Sequence, residues 1–464
     1  MHRKISGGGA YRPFKMLVAP PHFLIIMLMR DEHKTFNRWW VAVGGFFLQM
    51  CLGSIYAWSA FTGPLTDPAQ LYSFTKTQTQ IIFSFALLMF AVVMALVAGR
   101  WQKEVGPKIV AMTGGLFLGL GYFLAGISGA SFLGIFLGWG LIGAGIGLGY
   151  VCPIAALVRW FPDKKGLMTG LAVAGFGFGA LIWVKLTTGF RFGPIDLTPG
   201  WKGLYGMGWT VNDVFLLYSA IMVTIVWISA LVLVYPPDSW SPPGWSPPPS
   251  TTPATGSVEF TPTEMVRTAQ FWKLFFNFLV GATAGLMVIG VIQLFASEAL
   301  SARGVPKDET LMITSTAMGL FLAIFNGVGR IAWGSISDWL GRKLALVTMT
   351  ACQGIVLLGF YLLAGWEIPL YIFSALVGFN FGGNFALFPA ITADYFGNRS
   401  VGTNYPWLFL AYGLGGVIGP ILGGMMGDYK QWFVAFCITG IACLISAAIT
   451  ATLKPPRKTI SQNR

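Results

Sequence analysis

Apolar runs of roughly 20 residues recur along the chain, each long enough to cross a hydrocarbon core about 30 Å thick as an α-helix. Twelve are read, near 39–61, 79–99, 107–128, 132–158, 166–188, 213–235, 271–296, 311–335, 344–364, 368–391, 404–426 and 431–453. Between the sixth and seventh lies PPDSWSPPGWSPPPSTTPATGS, 236–257, whose prolines and missing apolar face rule out a span and predict an extended connector. The pattern predicts an all-α membrane protein of twelve transmembrane helices in two pseudo-symmetric six-helix bundles. The expected divisions are a tail over 1–37, a first bundle over 38–235, a Pro-rich linker over 236–268, a second bundle over 269–453 and a tail over 454–464.

The halves echo each other. GRWQKEVGPK at 99–108 matches GSISDWLGRK at 334–343, and WFPDKKG at 160–166 answers YFGNRSVG at 395–402, each at an offset of about 235 residues. Two equivalent bundles flanking one site are the architecture of an alternating-access carrier.

Composition sharpens this picture. The 464 residues are 55% hydrophobic and only 10% charged, far from the balance of a soluble domain. The net charge of +13 would suit a nucleic-acid partner if the cations were clustered, but they are dispersed between spans. With both termini inside, about 22 of the 30 Lys and Arg fall on the cytoplasmic side, Lys34, Arg38, Lys164, Lys165, Arg342 and Lys343 among them. That bias predicts a multi-pass protein of the cell membrane with cytoplasmic termini and no nucleic-acid partner. The self-contained chain reads as a monomer. Cys51, Cys152, Cys352, Cys437 and Cys443 are scattered without a CxxC pair, so neither a disulfide framework, a metal site nor a cofactor is expected. The spans contain no HExxH, GxSxG or Cys/His grouping, which argues against an enzyme.

The candidate chemistry is a cation inside the membrane. Arg330 lies about seven residues beyond the middle of the eighth span, roughly 10 Å from the midplane, where burial costs on the order of 3 kcal/mol. Ser315, Gly319, Ala323, Asn326 and Arg330 form one small or polar stripe, while Leu320, Phe321, Ile324, Phe325 and Ile331 are greasy. That spacing turns Arg330 to the bundle interior instead of letting it snorkel to the headgroups. A guanidinium in a dry cleft suits a planar anion, because a carboxylate accepts two parallel hydrogen bonds from it. A second intramembrane cation, Lys185, sits in the fifth span about 20 Å from Arg330 in depth; it either serves the substrate or snorkels outward. Further lining candidates by spacing are Gln49, Gly53, Tyr56 and Ala60 in the first span, Tyr150 in the fourth, Gln293 in the seventh, Asn380 and Asn384 in the tenth, and Tyr405 and Tyr412 in the eleventh. Trp58 fits a lining or an interfacial belt. All 17 acids fall in loops, tails or helix ends, and His2, His22 and His33 lie in the amino-terminal tail, leaving no intramembrane carboxylate or histidine to take up a proton.

These residues carry a resemblance. G-x-x-x-D-x-x-G-R-K, met by Gly334, Asp338, Gly341, Arg342 and Lys343, is similar to the loop signature of the major facilitator superfamily, with Gly99 and Gly106 in the first-half copy. There Lys103 and Glu104 reverse the expected charge order. SIYAWSAFTGPL, RWFPDKKGLMTG, PPGWSPP, TAGLMVIG, NGVGRIAWG and ADYFGNRSVGTNY together resemble the oxalate/formate antiporter family, which is related to the monocarboxylate transporters; the likeness covers residues 38–453. The resemblance implies transport of small carboxylates, an arginine receptor at Arg330, and pocket aromatics at Tyr56, Tyr150 and Tyr412. Two positions depart from the relatives. Tyr412 lies in the helix 11 segment where an oxalate exchanger carries a lysine, and Asn326 stands where monocarboxylate transporters often have aspartate. The expectation is a secondary carrier of formate-, lactate- or pyruvate-like anions, working by exchange or facilitated movement. Oxalate-type antiport, proton symport through Lys185 and a non-transporting sensor stay open as alternatives.

Overall fold

In a membrane every peptide group must find its partner within the protein, so each apolar run winds into a helix. The computed structural model describes residues 37–161, 163, 165–189, 201–237, 240–242, 244, 259–397 and 400–456. It contains twelve helices long and apolar enough to span: α1 Trp39–Thr66, α2 Lys76–Val105, α3 Pro107–Ile127, α4 Phe132–Trp160, α5 Lys165–Thr188, α6 Val211–Leu231, α7 Ala269–Ser301, α8 Lys307–Leu340, α9 Arg342–Leu363, α10 Glu367–Phe396, α11 Val401–Asp428 and α12 Trp432–Ala451. The expected tail over 1–37 lies outside the described residues except for Asn37, as do most of the connector and residues 457–464.

Several helices outrun the apolar stretch that announced them. α8 begins four residues earlier and ends five later than the 311–335 run, because hydropathy marks only the oily part of a helix whose polar ends continue into water. The start of α2 is fixed by a capping box: Thr75 accepts from the Gln78 amide and Gln78 returns a bond to the Thr75 amide. The expected linker over 236–268 contains, beyond the 236–257 stretch expected to be extended, a single helical turn at Pro262–Met265 capped by Thr261 and Glu264.

The duplicated loop motif is a backbone device. Gly106 and Gly341, 235 positions apart, both hold left-handed conformations (φ 84° and 83°) and hand the chain directly into α3 and α9. A β-carbon at either position would resist that geometry.

The halves meet chiefly along three pairs of helices: α5 with α8, α2 with α11, and the second part of α1 with α7. Within the second half, Asn277 of α7 donates to Thr350 of α9 (3.2 Å) and to Ser446 and Thr450 of α12 (3.0 and 2.7 Å), the kind of polar fastening that holds helices together when water is absent. Three helices depart from regular α geometry where the halves meet: α1 tightens to a 3₁₀ turn at Gly53–Ala57, while α2 and α8 widen to π turns at Met94–Ala98 and Ala317–Leu322. Such irregular turns gather at functional sites in helices.

Candidate functional site

The stripe read along α8 faces inward. Ser315, Gly319, Ala323, Asn326 and Arg330 are all buried, whereas Phe325 and Ile331 are exposed on the outer surface. Arg330 is only 2% exposed, which discards the snorkelling alternative. Its placement depends on glycines. The α5 backbone passes so close at Gly177 that a β-carbon there would meet Gly327 N at 2.9 Å, Gly327 Cα at 3.0 Å and Arg330 Nε at 3.4 Å.

The guanidinium is held but not satisfied. Nε donates to Asn326 Oδ1 one turn earlier (3.2 Å), while Nη1 and Nη2 make no hydrogen bond of ordinary geometry among the described residues, although the Tyr56 and Tyr150 hydroxyls lie beside the guanidinium; Asn326 Nδ2 makes none either. No ion pair neutralises it among those residues. The Phe385 ring from α10 lies 4.1 Å from the guanidinium carbon and Phe176 from α5 lies 5.5 Å away, giving the cation aromatic neighbours in both halves. A buried cation with two idle donors is costly unless a ligand completes it.

The predicted tyrosines gather on the same rings. Tyr56 of α1 and Tyr150 of α4 stand edge-on to Phe176 at 5.1 and 5.3 Å, and Tyr412 of α11 does so to Phe385 at 5.6 Å. Tyr56 and Tyr412 join the halves through a hydroxyl–hydroxyl bond of 3.0 Å. Gln49 packs behind them, its amide donating to the Tyr150 carbonyl (2.9 Å). Tyr405 stacks at an angle on Phe409, one ring further from the guanidinium. Asn326 therefore belongs to the cluster directly. Asn384 reaches it only through its helix: its amide donates to the Phe381 carbonyl (3.0 Å), and its unpartnered Oδ1 faces α7 at Gly281. Neither side-chain atom of the Asn380 amide has a partner.

Other candidates lie elsewhere. Lys185 is 1% exposed and does not snorkel; its ammonium donates across the interface to Thr316 (3.0 Å) and Ser315 (3.3 Å) on α8. Fifteen residues separate Ser315 from Arg330, about 22 Å of helix, so the two cations do not share one small anion here. Gln293 lies beside Gly63 near the far end of α1, away from the arginine. Trp58 is not part of an interfacial belt: it is fully buried in the first half, against Trp139 at 4.2 Å and Phe83 at 6.2 Å.

The loop signature does its work within the second half. Arg342 pairs with Asp338 (2.6 Å), donates through Nε to Asp394 at the end of α10 (3.0 Å) and through Nη1 to Ser337, while Lys343 donates to the Ala451 carbonyl of α12 (3.5 Å). Asp338 is largely exposed, so Asp394, which the motif does not contain, is the partner that ties the loop to another helix. Gly334 faces Ala386 of α10 at ordinary contact distance. In the first half, Gly99 has open space around it and none of the ion pairs among the described residues involves Lys103 or Glu104.

Charged and polar helix ends meet on the face opposite the connector. Lys76 of α2 pairs with Glu298 of α7, donates to the Gly427 carbonyl (2.9 Å) and lies over the Trp432 ring (5.2 Å). Asp428 accepts from the Lys76 and Thr77 amides (2.8 and 2.9 Å), and Lys307 donates to Asp67 (2.9 Å). Lys307 and the Ala69 amide hold the Asp67 carboxyl below its ordinary range. This tie is therefore fully formed above an ordinary aspartate pKa of about 3.9 and is lost only as pH falls through the lowered value. Lys76→Met should loosen the seal by about 1 kcal/mol, a fivefold rise in the open-to-closed ratio on that face. Electron paramagnetic resonance distances between labels at the exposed Leu71 and Asp308 would show a longer population; an unchanged distribution would mean that these charges do not hold the face shut.

A sequence profile of the Major Facilitator Superfamily matches residues 40–405 and 310–464. The chain is similar to the uncharacterized MFS-type transporter YhjX of Escherichia coli (strain K12), 29% identical over 82% of this chain and 86% of that one. It is also similar to the oxalate:formate antiporter of Oxalobacter formigenes (28%, covering 91% and 92%) and to apicoplast pyruvate carrier 1 of Toxoplasma gondii (25%, covering 80% and 81%). Among solved structures, a bacterial homologue of the human lysosomal transporter Spinster, inward-facing and unoccupied, shares the fold with a TM-score of 0.64 at 16% identity, covering 90% of this chain and 97% of its own. Twelve spanning helices, paired six and six around a buried arginine, thus coincide with a profile match over nearly the whole chain: the protein belongs to the Major Facilitator Superfamily of membrane transporters.

Proposed function

We propose that this protein is a secondary transporter of small carboxylate anions of formate, lactate or pyruvate size, moving them across the cell membrane by alternating access, with both termini cytoplasmic. The observation that carries the reading is the pair of idle Nη donors of Arg330, buried where the halves meet and lacking a carboxylate partner among the described residues. A substrate carboxylate would take both donors at once and supply the missing counter-charge. The oxalate:formate antiporter and the pyruvate carrier are relatives whose named substrates are small carboxylates, which supports the class. Exchange is favoured over proton symport, because Asn326 cannot take up a proton at the position beside the arginine.

Purified protein in liposomes loaded with one acid should exchange it for labelled formate, lactate or pyruvate at rates that change less than about twofold when a pH gradient is imposed. Failure to exchange any carboxylate would overturn the reading. Strong acceleration by the gradient would replace exchange with proton coupling, for which Lys185 is the remaining intramembrane candidate.

A further inference from the structure

We propose that the connector-side corner of α7, α9 and α12 binds an anionic phospholipid, with Lys273, Lys343 and Lys454 holding its phosphate and the lipid-facing side of α12 carrying an acyl chain. This goes beyond the transport reading and does not depend on which solute is carried.

Three lysines from three elements converge on the last turn of α12. Lys273, near the start of α7, donates to Thr452 Oγ1 (2.7 Å), and Lys343, at the start of α9, donates to the Ala451 carbonyl (3.5 Å). Lys454, two residues past Thr452 at the helix cap, is exposed. Because the two acceptors belong to consecutive residues, the ammonium groups are brought to one patch of surface. A helix carboxyl end attracts cations through its free carbonyls. Each ammonium has three donors, however, and Lys273 and Lys343 each spend one on a neutral oxygen among the described residues. None of the ion pairs among those residues involves any of the three lysines, and the carboxylates that the adjoining loop engages, Asp338 and Asp394, go to Arg342. The patch keeps its positive charge.

The surface leading away from it suits hydrocarbon. Ile438, Ile441 and Ile445 are exposed, share one face of α12 with Thr452 by helical spacing, and line a groove with Phe433 and Cys437. Ile445 lies about 10 Å and Ile441 about 16 Å along the axis from Thr452, so a chain hanging from a phosphate at Thr452 would follow this stripe through one leaflet of about 15 Å. Trp272 and Trp339, both exposed, flank the lysines as indoles do at a membrane interface. A soluble phosphate would use the lysines and leave the groove unused, whereas a phospholipid uses both. Three cations also grade the headgroups: phosphocholine brings its own positive charge, and phosphatidylglycerol does not.

The test is native mass spectrometry of the full-length chain in detergent, with dioleoyl phosphatidylglycerol and dioleoyl phosphatidylcholine supplied in equal amounts. The wild type should retain phosphatidylglycerol at least about tenfold better, and Lys273→Met/Lys343→Met should lose about fivefold of that preference per lysine. Lys103→Met removes an exposed charge on the same side of the first half and should change it less than about twofold. An intact preference in the folded double variant, or an equal loss in Lys103→Met, would overturn the site. If inorganic phosphate displaces the lipid and raises the melting temperature as far as phosphatidylglycerol does, the corner takes a soluble anion and the lipid proposal falls. Should the double variant not fold, photoreactive phosphatidylglycerol on the wild type decides: crosslinks to the α12 peptide carrying Ile445 and Thr452 support the site, and crosslinks confined to other helices overturn it.

Discussion

Arg330→Lys should cut carboxylate exchange at least about 30-fold, an effect of about 2 kcal/mol or more for damaging a buried charge pair. The substitution keeps the positive charge, so it separates electrostatic attraction from geometry. Lysine has no counterpart of Nε and loses the bond to Asn326 Oδ1 that fixes the plane of the fork. It also replaces two parallel donors with one strongly hydrated point charge. The aromatic neighbours Phe176 and Phe385 present flat faces that suit a planar guanidinium better than a rounded ammonium. Exchange in liposomes, normalised to protein that melts like the wild type, measures the loss. Unimpaired exchange would place the substrate elsewhere.

Gly177→Leu should abolish turnover, by more than about 100-fold, while leaving each half folded. A β-carbon there already lies within 3.0 Å of the Gly327 backbone, which cannot swing away as a side-chain tip would. A leucine forces α5 from α8 along a seam between the halves; even ordinary overpacking of a core costs about 1–3 kcal/mol, and backbone overlap costs more. Because the seam must close in every cycle, the penalty falls on turnover. Gly170→Ala is the control: on the same helix a β-carbon would only touch Ile331 at 3.9 Å, and near-normal exchange is expected. Exchange assays alongside label distances across the seam check the pair, and substantial transport by Gly177→Leu would show that the close approach is dispensable.

The fold was largely legible because membrane helices are written in the simplest code a sequence has, about 20 apolar residues per crossing. The connector and the loop glycines were legible for similar local reasons, Pro content in one case and a repeated motif in the other. Arg330, Asn326 and the tyrosines were found because polar groups in oil stand out and helical spacing tells which way they face. Phe176, Phe385 and Gly177 could not be found that way. A phenylalanine against a buried guanidinium and one against lipid look alike in a chain with 38 of them, and one glycine among 60 gives no sign of the helix it lets approach. Lys76, Glu298 and Asp428 were hidden by the opposite problem: charges at helix ends are expected to be solvated, and only the packing of α2 on α7 and α11 shows that they meet. Gln293 shows the limit of spacing itself, which gives a direction around a helix but not the level at which its neighbours pass.

The unpaired charge on Arg330 has an electrical consequence. On the proposed reading a monocarboxylate aboard cancels that charge, so that, Lys185 apart, the occupied site can rock without moving net charge through the bilayer field. Unoccupied, the same motion drags one positive charge some part of the way, and a full crossing would cost or return about 2.3 kcal/mol per 100 mV. One-for-one swapping of monovalent acids should therefore ignore the transmembrane voltage, whereas any net flux that needs the empty return stroke should rise and fall with it.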